Sequence, residues 1–195
     1  ISEGEFVIGA FGSLRHMSEL TLLRDGIERV DGNDVRLVWA ARVPSEVLRR
    51  KAIWARMKHR AWLKKMQAVL LSGYLSDADM VTIFEAIDAI IIPRAGRQLN
   101  SGLLPLALTF GTPIVAPNYG PFEELLTGTR NALYEAGSPT SLAQAIQRLR
   151  TNTTQCIRSE NLRIASSLGW NGIIDRLLRD LPLKAGAMQD GQSRS

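Results

Sequence analysis

The stretch from Ile90 to Gly120, IIIPRAGRQLNSGLLPLALTFGTPIVAPNYG, decides the fold. It opens within the apolar run Ala89–Ile92, too short for a helix and rich in isoleucine, which reads as a buried strand. A basic loop with Arg94 and Arg97 follows, and Asn100-Ser101-Gly102 then opens a helical segment that closes at Phe110-Gly111. A second buried strand, Pro113–Ala116, completes the unit ahead of Pro117. Strand, loop, helix, strand is a crossover connection. Its loop lies at the carboxyl end of the first strand, which is where open α/β sheets bind ligands.

The chemistry of that loop suits an anion. Asn and Ser are preferred helix N-caps, which places the helix start near Asn100 or Ser101. Pro105 agrees with such a start, because proline lacks an N–H and is tolerated in the first turn. The free N–H groups of Ser101 to Leu104 then face outward, backed by the positive end of the helix dipole. Gly102 lets a ligand approach the backbone. An ordinary capped crossover helix with solvated arginines would be written in the same letters, so this segment alone leaves both readings open.

Composition narrows the class. The 195 residues are enough for one large domain, expected over 1–183, with a polar, glycine-containing tail at 184–195 expected to be disordered. No apolar run reaches membrane-spanning length and nothing resembles a signal peptide. Cys156 is the single cysteine, which rules out an internal disulfide, and with only His16 and His59 beside it no zinc centre is expected. A reducing, cytoplasmic setting follows as the default. The net charge of +5 favours anionic partners. A chain that begins with Ile1 is read as part of something longer.

Strands and helices alternate along the whole chain, which predicts an α/β fold with a doubly wound, mainly parallel six-stranded sheet and helices on both faces. The strands are expected at Phe6–Ala10, Val35–Ala40, Ala68–Ser72, Ala89–Ile92, Pro113–Ala116 and Ala132–Tyr134. Helices are expected at about Ser18–Val30, Val47–Met66, Asp77–Ile87 with Ser76 and Asp79 as a reciprocal cap, the segment from Asn100 to Phe110, Phe122–Leu126, Leu142–Arg150, Cys156–Leu168 and Asn171–Leu181. In Val47–Met66 an apolar stripe of Leu48, Ala52, Ala55, His59, Trp62 and Met66 is backed by a strongly basic face. Such a helix can lie on an anionic membrane. A core-facing helix with a solvated basic back is preferred, since any helix covering a sheet needs that stripe. Nucleic acid is not expected as a partner, because no aromatic stacking motif accompanies the charge.

The order of elements and several motifs resemble the carboxy-terminal, nucleotide-sugar-binding domain of GT-B glycosyltransferases, over about Phe6 to Leu181. Phe11-Gly12-Ser13-Leu14-Arg15 is similar to the first turn, where a glycine and a basic residue approach the donor diphosphate. Gly73-Tyr74-Leu75-Ser76 resembles the loop that meets the nucleotide base. Asn100-Ser101-Gly102 with Ala107 to Pro117 is similar to the helix that faces the diphosphate and its outgoing strand. Gly120 with Glu124, Asn131 to Gly137, and Gly169-Trp170 match further turns. The departures are Gln98 and Leu106, where many retaining members carry two glutamates, and Ser18, where a lysine is usual. They are similar to a branch of bacterial exopolysaccharide transferases with a Ser-Gly helix start, and they leave the stereochemistry, and even activity, open.

The resemblance implies a donor-diphosphate site of Gly12, Arg15, Arg42, Ser101 and Gly102, with Gly73, Tyr74, Asn100 and Glu124 toward the base, ribose or sugar. Arg15 and Arg42 follow the first and second strands and so share one sheet edge. Glu124 could equally cap the helix around Phe122. The implied donor is a nucleoside-diphosphate sugar, with no metal or other cofactor, and the acceptor a saccharide or lipid-linked molecule. No residue stands out as a general base, so an amino-terminal acceptor domain is expected to be missing from this chain, and the chain alone is expected to be inactive. The protein is expected in the cytoplasm; peripheral contact at the inner membrane face through Val47–Met66 is the alternative to the preferred core-facing reading. A non-catalytic nucleotide-binding or protein-interaction module on the same scaffold, or a relative of nucleotide-sugar epimerases, is the alternative.

Overall fold

The computed structural model of the chain describes residues 4–11, 17–32, 34–40, 61–66, 68–71, 75–94, 102–152 and 154–169. Six strands form one sheet: β1 (Phe6–Phe11), β2 (Val35–Ala40), β3 (Val69–Leu71), β4 (Ala89–Ile91), β5 (Ile114–Pro117) and β6 (Ala132–Tyr134). Every pairing is parallel and the order is β3-β2-β1-β4-β5-β6. The helices are α1 (Met17–Ile27), α2 (Asp77–Ala86), α3 (Leu103–Phe110), α4 (Gly120–Leu126), α5 (Pro139–Arg150) and α6 (Thr154–Leu168), and residues 61–65 are also helical.

The two apolar layers follow from the period of two in the strands. Ile8, Leu37, Trp39, Ile91, Val115 and Tyr134 face a core shared with α1 and α5. Their neighbours Val7, Val38, Ile90, Ile92, Ile114 and Ala116 face a second core under α2, α3 and α4. Both faces are covered, so the central strands read as unbroken apolar runs. Trp62 is buried in the first layer, with Leu63 and Met66 packed against it, while Lys64 and Lys65 are exposed. For residues 61–66 the core-facing reading therefore holds; residues 47–60, the tail at 184–195 and the helix expected over Asn171–Leu181 lie outside the described residues.

Local signals placed several boundaries. Ser76 caps α2, its hydroxyl accepting from the Asp79 N–H at 3.2 Å while the Asp79 carboxylate accepts from the Ser76 N–H at 2.9 Å. The Ser76 hydroxyl and backbone hold the Asp79 carboxyl below its usual range. Other boundaries differ from expectation. Helix α5 starts at Pro139, capped by Ser138, rather than at Leu142, because Pro at the first position of a helix is itself a start signal. Helix α4 starts at Gly120, not Phe122, and β5 runs from Ile114 through Pro117 rather than from Pro113 to Ala116.

Helix α1 lies close against α5 because residue 26 has no side chain. A Cβ there would stand 2.6 Å from Leu142 Cδ2 and 2.9 Å from its Cγ. Gly26→Ala gains helix propensity but must push Leu142 out of the core, and the second effect wins. The variant is expected to lose about 1–2 kcal/mol, read as a lower urea midpoint at unchanged m. A midpoint equal to or above wild type would show that the two helices can separate freely.

Candidate functional site

The order of the sheet reverses at β1, which pairs with β2 on one side and β4 on the other. The chain leaving β1 enters α1 in the first layer, and the chain leaving β4 enters α3 in the second. The two elements that follow lie on opposite faces, and in open α/β sheets it is at such a switch point that a ligand crevice forms at the carboxyl edge. Gly12 directly follows β1, Arg42 comes two residues after β2, and Gly73 two residues after β3. These positions follow neighbouring strands on one edge of the sheet. Gly12, Arg15, Arg42, Gly73, Tyr74, Asn100 and Ser101 themselves lie outside the described residues, as do Arg97 and Gln98.

Of the expected helix start, Gly102 is described. It is the N-cap of α3, in the right-handed helical region at φ −62° and ψ −15°, and contributes no side-chain cap. The helix proper therefore begins at Leu103, a little later than the Asn100 or Ser101 expected from cap preference. A Cβ at Gly102 would meet nothing within 4 Å among the described residues. Among the described residues, neither backbone conformation nor packing demands glycine there. Leu106 packs against the second core, so an apolar side chain occupies the position where the resemblance implies a carboxylate.

Glu124 is exposed in the second turn of α4. Because the helix starts earlier than expected, the first-turn acid is Glu123, which removes the capping alternative for Glu124. Gly120 at the start of that helix has φ +53°, a left-handed conformation that favours glycine.

The arrangement least visible in the sequence joins the two walls of the crevice. Glu19, in the first turn of α1, is 1 % exposed. Its carboxylate accepts from Arg94 Nη1 at 3.1 Å, and the Arg94 side chain retains 14 % exposure. The backbone of Arg94 is held as well. Its N–H donates to the Tyr134 hydroxyl at 2.8 Å, and that hydroxyl donates to the Ile92 carbonyl at 2.8 Å. Burial pushes the Tyr134 phenol well above its ordinary range, so it remains a proton donor at every physiological pH. Arg94 is thus neither solvated nor free to swing, contrary to what a loop arginine suggests. One signal was available: Glu19 shares a helical stripe with the buried Leu23 and Ile27, and an acid in such a stripe needs a partner.

Residues 5–152 match the sequence model of a known family, glycosyl transferases group 1. The chain belongs to that family. Among solved structures, its fold is similar to the C-terminal domain of the group 1 glycosyl transferase LpcC from Francisella tularensis, at 14% identity and TM-score 0.67, covering 84% of this chain and 85% of that one. HepE from Anabaena, solved in complex with UDP and glucose, matches at 20% identity and TM-score 0.70, over 91% of this chain and 49% of that one. Sucrose-phosphate synthase from Thermosynechococcus elongatus matches at 15% identity and TM-score 0.71, over 93% and 46%. The chain therefore spans about half the length of HepE and of that synthase. No curated protein matches the sequence closely enough to count as a relative.

As a group 1 glycosyltransferase domain the chain has the Rossmann-like architecture of the GT-B carboxy-terminal half. None of the described helices is long and apolar enough to cross a membrane.

Proposed function

We propose that the crevice between β1 and β4 binds a nucleoside-diphosphate sugar, and that the chain is the donor half of an enzyme moving a hexose to a saccharide or lipid-linked acceptor. The observation that carries this is the start of α3: a helix N-terminus without a side-chain cap, fronted by a glycine that no described neighbour requires, on the carboxyl edge of the sheet in a group 1 glycosyltransferase. HepE, which shares the fold, is solved with UDP and glucose, and this supports the same ligand class here. A bacterial role in polysaccharide or glycoconjugate synthesis fits the Ser101-Gly102 helix start.

Breaking the sugar–phosphate bond builds negative charge on the departing diphosphate and positive charge on the sugar. Fixed N–H dipoles at Leu103 and Leu104, the backbone beside Gly12, and the cations of Arg15 and Arg42 would stabilise the leaving group without a metal ion. Activation of the acceptor would need the second half of a GT-B enzyme, so this chain alone is proposed to bind donor without turning it over. Peripheral contact of the basic Val47–Met66 segment with an anionic membrane remains part of the proposal and is tested by cosedimentation with anionic and neutral vesicles.

Calorimetric titration of the chain with UDP, GDP, ADP and their sugar conjugates tests the donor site. One diphosphate is expected to bind, and Arg15→Ala to weaken it about tenfold or more, as for loss of a charge-assisted contact. A folded sample that binds none of them would sink the proposal. The packing of Leu106 into the core favours a second reading, a nucleotide-binding module without transferase activity. That reading expects the free diphosphate to bind as tightly as any of its sugar conjugates, with nothing gained from the sugar.

A further inference from the structure

We infer that Glu19, Arg94 and Tyr134 form a positioning device that fixes the exit of β4 against the first turn of α1, and so sets diphosphate affinity without touching the diphosphate. The inference rests on the donor-site reading above. Its physical basis is the place where backbone pairing stops. The ladder between β1 and β4 ends at Ala10↔Ile91. Beyond that rung one chain turns into α1 and the other heads for α3 on the opposite face, so sheet hydrogen bonds can no longer hold them in register.

Side chains take over from the ladder. The Tyr134 ring spans the sheet from β6, across β5, to the exit of β4, since the strand order there is β4-β5-β6. Its hydroxyl fixes the Ile92 carbonyl and the Arg94 N–H, both at 2.8 Å, with the Arg94 carbonyl at 3.3 Å. A rigid aromatic ring is a good spacer because it has few torsions to relax. The Arg94 guanidinium then reaches the Glu19 carboxylate at 3.1 Å, which ties the β4 exit to the first turn of α1. Among the described residues this is the ion pair that joins the two walls. Arg15 lies four residues before Glu19, and Asn100 six residues after Arg94, so both proposed diphosphate-binding segments hang from this tie. A buried ion pair contributes little net stability over apolar packing but has a strongly preferred geometry, which suits it to orientation.

Affinity is read on protein held well below its melting temperature, so that the folded fraction alone reports. Using whichever of UDP, GDP and ADP binds wild type, Glu19→Gln is expected to weaken it by about ten- to a hundredfold, the scale of an ångström-sized misplacement. Arg94→Lys should lose less, since the pair persists with poorer geometry. Tyr134→Phe should weaken binding too, although it changes no charge, and it keeps the test alive if Glu19→Gln fails to fold. A lower melting temperature with unchanged affinity in Glu19→Gln and Tyr134→Phe would mean that the cluster is only structural and would overturn the inference. Tighter binding in Glu19→Gln would overturn it differently, showing that Glu19 merely repels the anion and that a released Arg94 binds it. Should wild type bind none of the three nucleotides, the donor reading fails and this inference with it, an outcome visible before any variant is made.

Discussion

Asn161→Ala is expected to cost about 2–4 kcal/mol, enough to lower the melting temperature by roughly 5–15 °C. Asn161 is fully buried in α6, where the helix passes beneath the amino-terminal edge of the sheet. Its amide donates to the Thr112 carbonyl at 2.8 Å, two residues before β5, and its carbonyl oxygen accepts from Asn131 Nδ2 at 2.6 Å, immediately before β6. The Asn131 side-chain oxygen in turn accepts from the Ile114 N–H at 2.9 Å. One side chain therefore ties two separate loops together, and truncating it strips the buried Thr112 residue of that side-chain donor and opens a hole beside it, while Asn131 Nδ2 keeps the Thr129 hydroxyl at 3.1 Å. Removing half of a satisfied network costs more than the network adds, which is why the effect is large.

Asn161→Asp sharpens the same test. An ionised carboxylate would face the Thr112 carbonyl, whereas a protonated one can donate to it and still accept from Asn131. Burial and that acceptor raise the introduced carboxyl above its unfolded pKa of about 3.9, so the folded state binds the proton more tightly. The variant is then most stable, relative to wild type, below that unfolded pKa, and loses ground as pH rises through the raised folded value. Denaturation curves of both proteins across this range check it; a pH-independent difference would mean that the carboxyl stays ionised or reaches solvent.

Gly111→Ala carries the second large effect, about 2–4 kcal/mol. Gly111 ends α3 in the left-handed region at φ +68°, with its N–H and that of Thr112 returning to the Leu108 and Ala107 carbonyls, both at 3.0 Å. That conformation alone strains any L side chain by about 1–2 kcal/mol. Here a Cβ would also stand 2.7 Å from Arg158 Cγ and 3.1 Å from the Arg158 carbonyl oxygen, and the backbone of α6 cannot swing aside. Gly128 supplies the control: its φ is +78°, but a Cβ there meets nothing within 4 Å. Gly128→Ala should cost only the conformational share, about 1 kcal/mol. Equal losses in urea unfolding would show that the α3–α6 contact is not close enough to matter.

Much of the β4–β5 half of the fold could be read from the letters between Ile90 and Gly120. Parallel strands covered on both faces must be apolar throughout, so β4 and β5 announced themselves, and Gly111 marked the end of the helix between them. The start of that helix was read less well. Asn100 and Ser101 are the stronger cap formers, yet the N-cap is Gly102, because cap preference is a local tendency that fixes a helix start only to within a residue or two. Asn131 was legible only as a residue tolerant of a turn; its use in the structure is through its side chain, in the Asn161 network.

The sequence by itself determined the fold class and the family, since these follow from periodicity, caps and motifs spread over a few residues each. The tertiary structure alone decided what Glu19, Arg94, Tyr134, Thr112 and Asn161 do. Glu19 and Arg94 are 75 positions apart, Arg94 and Tyr134 are 40, and Thr112 and Asn161 are 49. Partners at such separations are chosen by strand order and by which face each helix covers. A polar residue in an apolar stripe can show that a partner is needed, but only the folded chain shows which one meets it.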